Sequence, residues 1–222
     1  MSIQVSIVPV TQYQQNCSVM KCLKTGKAAI VDPGGDIERI KQAMSEIEAT
    51  AEKIILTHGH MDHCAASDVL REELGIPIEG PHSADDFWIS RLPEWCEMSG
   101  FPVAQAFTPD RWLEDGDTVN VGEQQLSVFH CPGHTPGHVV FLYELQKIAW
   151  VGDVIFQGSI GRTDFPMGNH DDLIESIRGK PVPEKFQLAF MQSGFILLVG
   201  LSVVLIIRDT TQLSLVQQFI NK

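Results

Sequence analysis

The chain has 222 residues, 44% hydrophobic and 20% charged, enough apolar sequence to bury a core and unlike a disordered, collagen-like or disulfide-stapled polypeptide. Sixteen Lys and Arg against 28 Asp and Glu give a formal charge of -12, a field that repels nucleic acid and anionic membranes. An anionic substrate would therefore need a local positive centre, and a bound metal could supply it. The charge is uneven: residues 182–222 carry +1, while residues 1–181 carry -13 and all eight histidines.

Taken in chain order, MSIQVSIVPV has no basic stretch and no long apolar run of the secretory kind, and it reads as a strand. Residues 3–9, 17–23 and 28–31 form three short apolar or β-branched runs, predicted as antiparallel strands, and Asp32-Pro33-Gly34-Gly35 ends the third as a turn. Asp36 is placed to cap a helix whose apolar positions Ile37, Ile40, Ala43, Met44 and Ile47 recur at helical spacing to about Ala49. Residues 53–56 then read as a buried strand, 65–74 as a helix ending at Gly75, and 76–78 as a short strand. Residues 82–117 read as loop, with Phe87, Trp88, Trp95 and Trp112 packing it or walling a pocket. Four strands follow, at 118–121, 125–129, 139–143 and 148–151, and then a short helix over 171–177. Strands and helices occur twice in similar order, which predicts an α/β sandwich of two face-to-face sheets covered by helices. Five cysteines without a C-x-x-C pair argue against a disulfide framework or zinc ribbon and fit a reducing cytoplasm.

Chemistry concentrates at strand ends. Thr57-His58-Gly59-His60-Met61-Asp62-His63 follows the 53–56 strand and packs three histidines and a carboxylate into six residues. Imidazoles and carboxylates suit zinc, iron or manganese. A second element, His130-Cys131-Pro132-Gly133-His134-Thr135-Pro136-Gly137-His138, follows another strand. His134 is best placed to complete a ligand set; His130 and His138 read as hydrogen-bonded supporting histidines. Asp153, after Val151-Gly152, is a strand-end carboxylate able to bridge two cations.

THGHMDH, CPGHTPGH and VGD, in that order and spacing, resemble the metallo-β-lactamase superfamily and its glyoxalase II-like hydrolases over about residues 3–180. Smaller marks are Gln15-Asn16-Cys17, VDPGGD at 31–36 and GRTDFP at 161–166. The resemblance implies an αββα sandwich over residues 1–180, with one or two zinc ions, or iron or manganese. It places His58, His60 and His134 at one metal site and Asp62 and His63 at a second, with Asp153 bridging. It further implies attack of a metal-bound hydroxide on a small-molecule thioester such as S-acylglutathione, with Asp62 as candidate proton acceptor. Arg162, Thr163 and Asp164 match the position where relatives contact glutathione; the alternative for Arg162 is an ion pair with Asp164. A mononuclear iron persulfide dioxygenase built on His58, His134 and Asp153 is the competing activity, and an inactive membrane-associated remnant is the non-enzymatic one.

The resemblance breaks near Lys180. Relatives carry a further histidine in a P-G-H-G turn, but no histidine follows His170 here. Residues 181–222 instead read as a divergent hydrophobic tail that takes the place of the last strand and ligand turn, and residues 186–207 are uncharged. That length suits a transmembrane segment, a fold-completing segment or the product of a reading-frame change.

Overall fold

A computed structural model of the chain describes residues 2–179. β1 (Ile3–Val10), β2 (Gln15–Cys22) and β3 (Lys27–Val31) pair antiparallel; β3 then pairs parallel with β4 (Thr50–Ile55), and β4 with β5 (Ile78–Glu79). The parallel step follows from α1 (Ile37–Glu46), which carries the chain back across the sheet face between β3 and β4. After α2 (Met61–Cys64) and α3 (Ser67–Leu74), a 3₁₀ turn at Ser83–Asp85 leads into α4 (Asp86–Ile89) and α5 (Leu92–Met98). The second sheet is an antiparallel meander of β6 (Thr118–Val121), β7 (Gln124–His130), β8 (Val139–Tyr143) and β9 (Ile148–Trp150). A two-residue hairpin, β10 (Ile155–Phe156) and β11 (Ser159–Ile160), and α6 (His170–Arg178) follow.

The near-continuous apolar run of β3 is explained by burial on both faces. Ala28 and Ile30 join Val19, Ile54, Leu56, and Ile40 and Leu70 of the covering helices in one core. Ala29 and Val31 point the other way, with Met20 and Ile55, onto Leu126, Val128, Val139, Phe141 and Tyr143 of the second sheet. The period-2 alternation of β6 and β7 matches this arrangement, with Val119, Val121, Leu126 and Val128 inward.

Three sequence expectations change. Asp36 does not cap α1: it sits at φ 50°, and its carboxylate instead accepts from the backbone N–H of Thr11 at 2.6 Å. The 82–117 stretch is not wholly loop, because residues 83–98 form three short helical turns that bury Trp88, Ile89, Leu92 and Cys96. The hairpin at 155–160 carries no strong sequence signal and was not expected. The proposed tail and its 186–207 span lie outside the described residues; among those, no helix is long and apolar enough to cross a membrane.

The sandwich interior sets the stability. Leu126→Ala, at a site with no solvent exposure, is expected to lower the unfolding free energy by about 2–5 kcal/mol, read from the shift in the urea midpoint.

Candidate metal centre

The three motifs meet at one edge of the sandwich because each follows a strand that ends there: β4, β7 and β9. The backbone N–H of Val139 donates to the Thr57 carbonyl at 2.7 Å, joining the loop after β4 to the second sheet. Asp32, at the end of β3, accepts from both the Thr57 N–H and its hydroxyl at 2.7 Å. With its proton committed to Asp32, the Thr57 oxygen accepts from His58 Nδ1 at 3.1 Å, which leaves the lone pair of His58 on Nε2. His134 is fixed in the same sense: its Nδ1 donates to the Arg162 carbonyl at 2.8 Å.

These two Nε2 atoms stand 3.1 and 3.0 Å from Nδ1 of His60. A proton on His60 Nδ1 could serve either neighbour, whereas a cation at their centre serves all three nitrogens. His60 Nε2 is buried without a partner. The donor atoms of His58, His60 and His134 lie within 4.8 Å of one another, so the residues fit a divalent metal of the N-ligand type.

The second half of the centre is built around His63. Its Nδ1 donates to Asp32 at 3.0 Å, and its Nε2 faces Asp153 Oδ1 at 3.3 Å and Asp62 Oδ2 at 3.7 Å. Asp153 turns its other oxygen to His134 Nε2 at 3.4 Å, so one of its oxygens faces each half. The second compact donor set is His58, His63 and Asp153, all within 4.8 Å. It differs from the expected Asp62, His63 and Asp153 by drawing in His58, which the first set also uses.

Arg162 meets the histidines through its backbone carbonyl alone; its side chain makes no hydrogen bond to them. Its guanidinium forms a two-pronged pair with Asp164 at 2.6 and 2.7 Å and lies 4.2 Å from the Phe165 ring centre. It does line a cleft of about 510 Å³ over the His60 side, walled by Trp88, Trp95, Met98 and Phe165. Thr163 does not line that cleft. His130 lies outside the centre, donating to the Pro136 carbonyl at 2.9 Å and stacking on His82. His138 packs against His58 and accepts the backbone N–H of Asp153 at 3.0 Å.

The family model described as the metallo-β-lactamase superfamily matches residues 10–189. The chain belongs to that superfamily. Hydroxyacylglutathione hydrolase GloC of Haemophilus influenzae is 43% identical over 180 residues, covering 81% of this chain and 84% of that protein. A probable metallo-hydrolase of Bacillus subtilis, YqgX, is 34% identical over 175 residues, 78% of this chain and 81% of its own. Among solved structures, the BLEG-1 B3 metallo-β-lactamase superposes with a TM-score of 0.72 at 35% identity, over 80% of this chain and 85% of that one. TTHA1623 in a di-iron-bound form gives 0.71 at 28% identity, over 78% and 84%. The family match runs nine residues past the expected boundary at 180.

Two buried carboxylates beside these histidine loops were not among the sequence candidates. In the sequence Asp32 belongs to a turn and to the VDPGGD mark and carries no site role, although its hydrogen bonds to both Thr57 and His63 tie the two halves together. Asp85 lies in a stretch read as loop and is wholly buried. Burial pushes its carboxyl up to about 6, against the hydrogen bonds it accepts from Gly59, Thr135 and Gly137. No local pattern in PHSADDFW distinguishes it from Asp86, which is exposed.

Burial, with neighbouring imidazoles adding to it, holds His58 and His60 well below the usual histidine value and His134 below it; His138 falls to about 3. His63 goes the other way: burial opposes its charge, but Asp153 and Asp32 raise it. Asp153 is held low by His63 despite its burial, and Asp62 is raised by burial. In the metal-free protein, the four depressed histidines refuse protons that the unfolded chain accepts near pH 6.5. Their stability is full above that pH and lost as pH falls through it. The raised His63 loses its contribution only as pH rises, while Asp62 and Asp85 oppose the acid loss with fewer groups. Thermal melts of chelator-treated protein are expected to show a falling midpoint from pH 7.5 to 5.5; a flat profile would contradict the neutral cluster.

Proposed function

We propose that the chain is a metal-dependent hydrolase of the glyoxalase II type, cleaving the thioester of S-acylglutathione conjugates. The observation that carries the reading is the convergence of His58 Nε2, His60 Nδ1 and His134 Nε2, with Asp153 reaching from that set to His63. The name of the Haemophilus relative supplies the substrate class. A divalent cation held there would acidify a water molecule and draw charge from a carbonyl oxygen.

The chain's own residues do the rest. The Thr57 hydroxyl and the Arg162 carbonyl keep the ring protons of His58 and His134 off the nitrogens that face the centre. Asp62 lies at the cleft wall with its carboxyl raised by burial, a suitable acceptor for the proton lost by an attacking water. Trp88, Trp95 and Phe165 keep bulk water from one side of the cleft. Arg162 brings positive charge to the same cleft, and a substrate carboxylate would compete with Asp164 for it. A thiolate leaves without a strong general acid, so none is needed. Zinc and iron both suit the donor set, and one structural relative holds two irons. The place of His60 between two other imidazoles favours this reading over an iron dioxygenase that uses two histidines and a carboxylate.

Because both donor sets draw on His58, about one metal ion per chain is expected to survive dialysis; two equivalents that resist dialysis would contradict this. Chelation is expected to stop thiol release from S-lactoylglutathione, and zinc to restore it. Oxygen consumption on glutathione persulfide by an iron-loaded protein would overturn the hydrolase reading. Arg162→Ala is expected to raise KM about tenfold with kcat little changed, the sign of lost uniform binding, measured by steady-state kinetics of thiol release.

A further inference from the structure

Asp85 sits beneath the metal edge without touching any of the histidines that face it. One carboxylate oxygen accepts the N–H of Gly137 at 2.6 Å; the other accepts the N–H of Gly59 and the hydroxyl of Thr135, both at 2.8 Å. Gly59 stands between His58 and His60, and Thr135 follows His134. These three donors therefore come from the two loops whose spacing decides whether the imidazoles converge.

The backbone packs just as closely. The His82 N–H donates to the Gly137 carbonyl at 3.1 Å, and the Asp85 N–H to the His82 carbonyl at 3.0 Å. A Cβ at position 137 would lie 2.5 Å from Asp85 N, and one at position 59 would lie 3.1 Å from the Asp85 carbonyl oxygen and 2.9 Å from Trp88 Cβ. Glycine at both places lets the two loops seat directly on the 82–88 segment. Three donors aimed at one side chain require a group that only accepts. An asparagine there would turn an NH₂ toward at least one N–H or hydroxyl, leaving buried donors facing each other.

We propose that Asp85 is the positioning residue of the metal centre, the clamp that ties the His58–His60 turn to the His134 turn and so sets the spacing of the three metal-facing nitrogens. The assignment rests on the metal-centre reading given above. It concerns metal affinity and coordination geometry rather than the thioester, so its failure is separable from that of the proposed activity. Supporting partners of metal ligands elsewhere carry tenfold to hundredfold effects on affinity, which sets the scale to expect.

The test uses the full chain. Zn²⁺ affinity is measured by competition with a chromophoric chelator, and the coordination geometry by the visible absorption of the Co²⁺-loaded protein. Asp85→Asn is expected to weaken Zn²⁺ binding by about tenfold to a hundredfold and to change the Co²⁺ bands. Leu126→Ala, which loosens the sandwich core away from the centre, is expected to lower stability while leaving both readouts at wild-type values. Asp85→Asn binding Zn²⁺ as the wild type does, with unchanged Co²⁺ bands, would overturn the proposal. So would a loss in Leu126→Ala as large as that in Asp85→Asn, since the effect would then report stability alone. If Asp85→Asn does not fold, Thr135→Val decides: it removes one of the three donors at nearly constant volume, and unchanged Zn²⁺ affinity there would overturn the clamp. A wild-type chain that takes up neither metal would overturn the centre and this assignment together.

Discussion

Five buried histidines, His58, His60, His63, His134 and His138, share one edge of the sandwich, and a group of imidazoles at such distances tolerates few positive charges. The structure meets this constraint by fixing, for every one of these rings except His60, where the protons sit. Thr57, itself held by Asp32, takes the Nδ1 proton of His58; the Arg162 carbonyl takes that of His134. Asp32 and Asp153 together accept the charge that His63 keeps. His138 stays neutral and accepts an N–H from the backbone of Asp153. The outcome is a set of lone pairs facing inward with no protein donor to satisfy them all, so metal affinity is a consequence of how the surrounding hydrogen bonds are assigned.

That assignment depends on backbone approaching backbone. A Cβ at Gly161 would fall 1.8 Å from the Asp153 carbonyl oxygen, and one at Gly34 would fall 1.6 Å from that of Asp62. No side chain fits at either contact. The loops therefore hold their positions by direct main-chain packing onto one another and onto strand ends, which is how irregular segments can position donor atoms as rigidly as a sheet does. The two cores contribute from below, with the three middle strands of the first sheet, β2 to β4, buried on one face by helices and on the other by the second sheet.

What the sequence made legible follows the same division. Strands β1 to β4 and β6 to β9 are readable because their apolar runs and turns are local signals, and the histidine motifs are readable because their donors sit within a few residues of each other. The short helices between residues 86 and 98 are not, because their helical state depends on burying Trp88, Ile89, Leu92 and Cys96 against distant elements. Asp36 shows a local rule losing to a tertiary one, since its carboxylate finds the Thr11 N–H, 25 residues away, rather than the first turn of α1. Asp85 is the clearest case: its partners lie 26, 50 and 52 residues away in sequence, and nothing near it in the chain announces them. Ligands that act together are often close in sequence; the groups that space them need not be.

The acidity of the chain bears on the centre differently at long and short range. At physiological ionic strength a surface charge is felt over roughly 8 Å, so most of the formal -12 acts on an approaching anion as a diffuse and screened repulsion. Within the cleft, the charges that matter are Asp62, Asp153 and Arg162, all lining it. Asp153 is already drawn toward His63 and His134, and a divalent cation seated between the histidines would reverse the sign of the field an entering carbonyl oxygen meets. The aromatic walls lower the local dielectric and strengthen that reversal. An acidic domain can therefore present a positive target to an anionic thioester, provided the negative charges nearest the target are the ones committed to holding the cation.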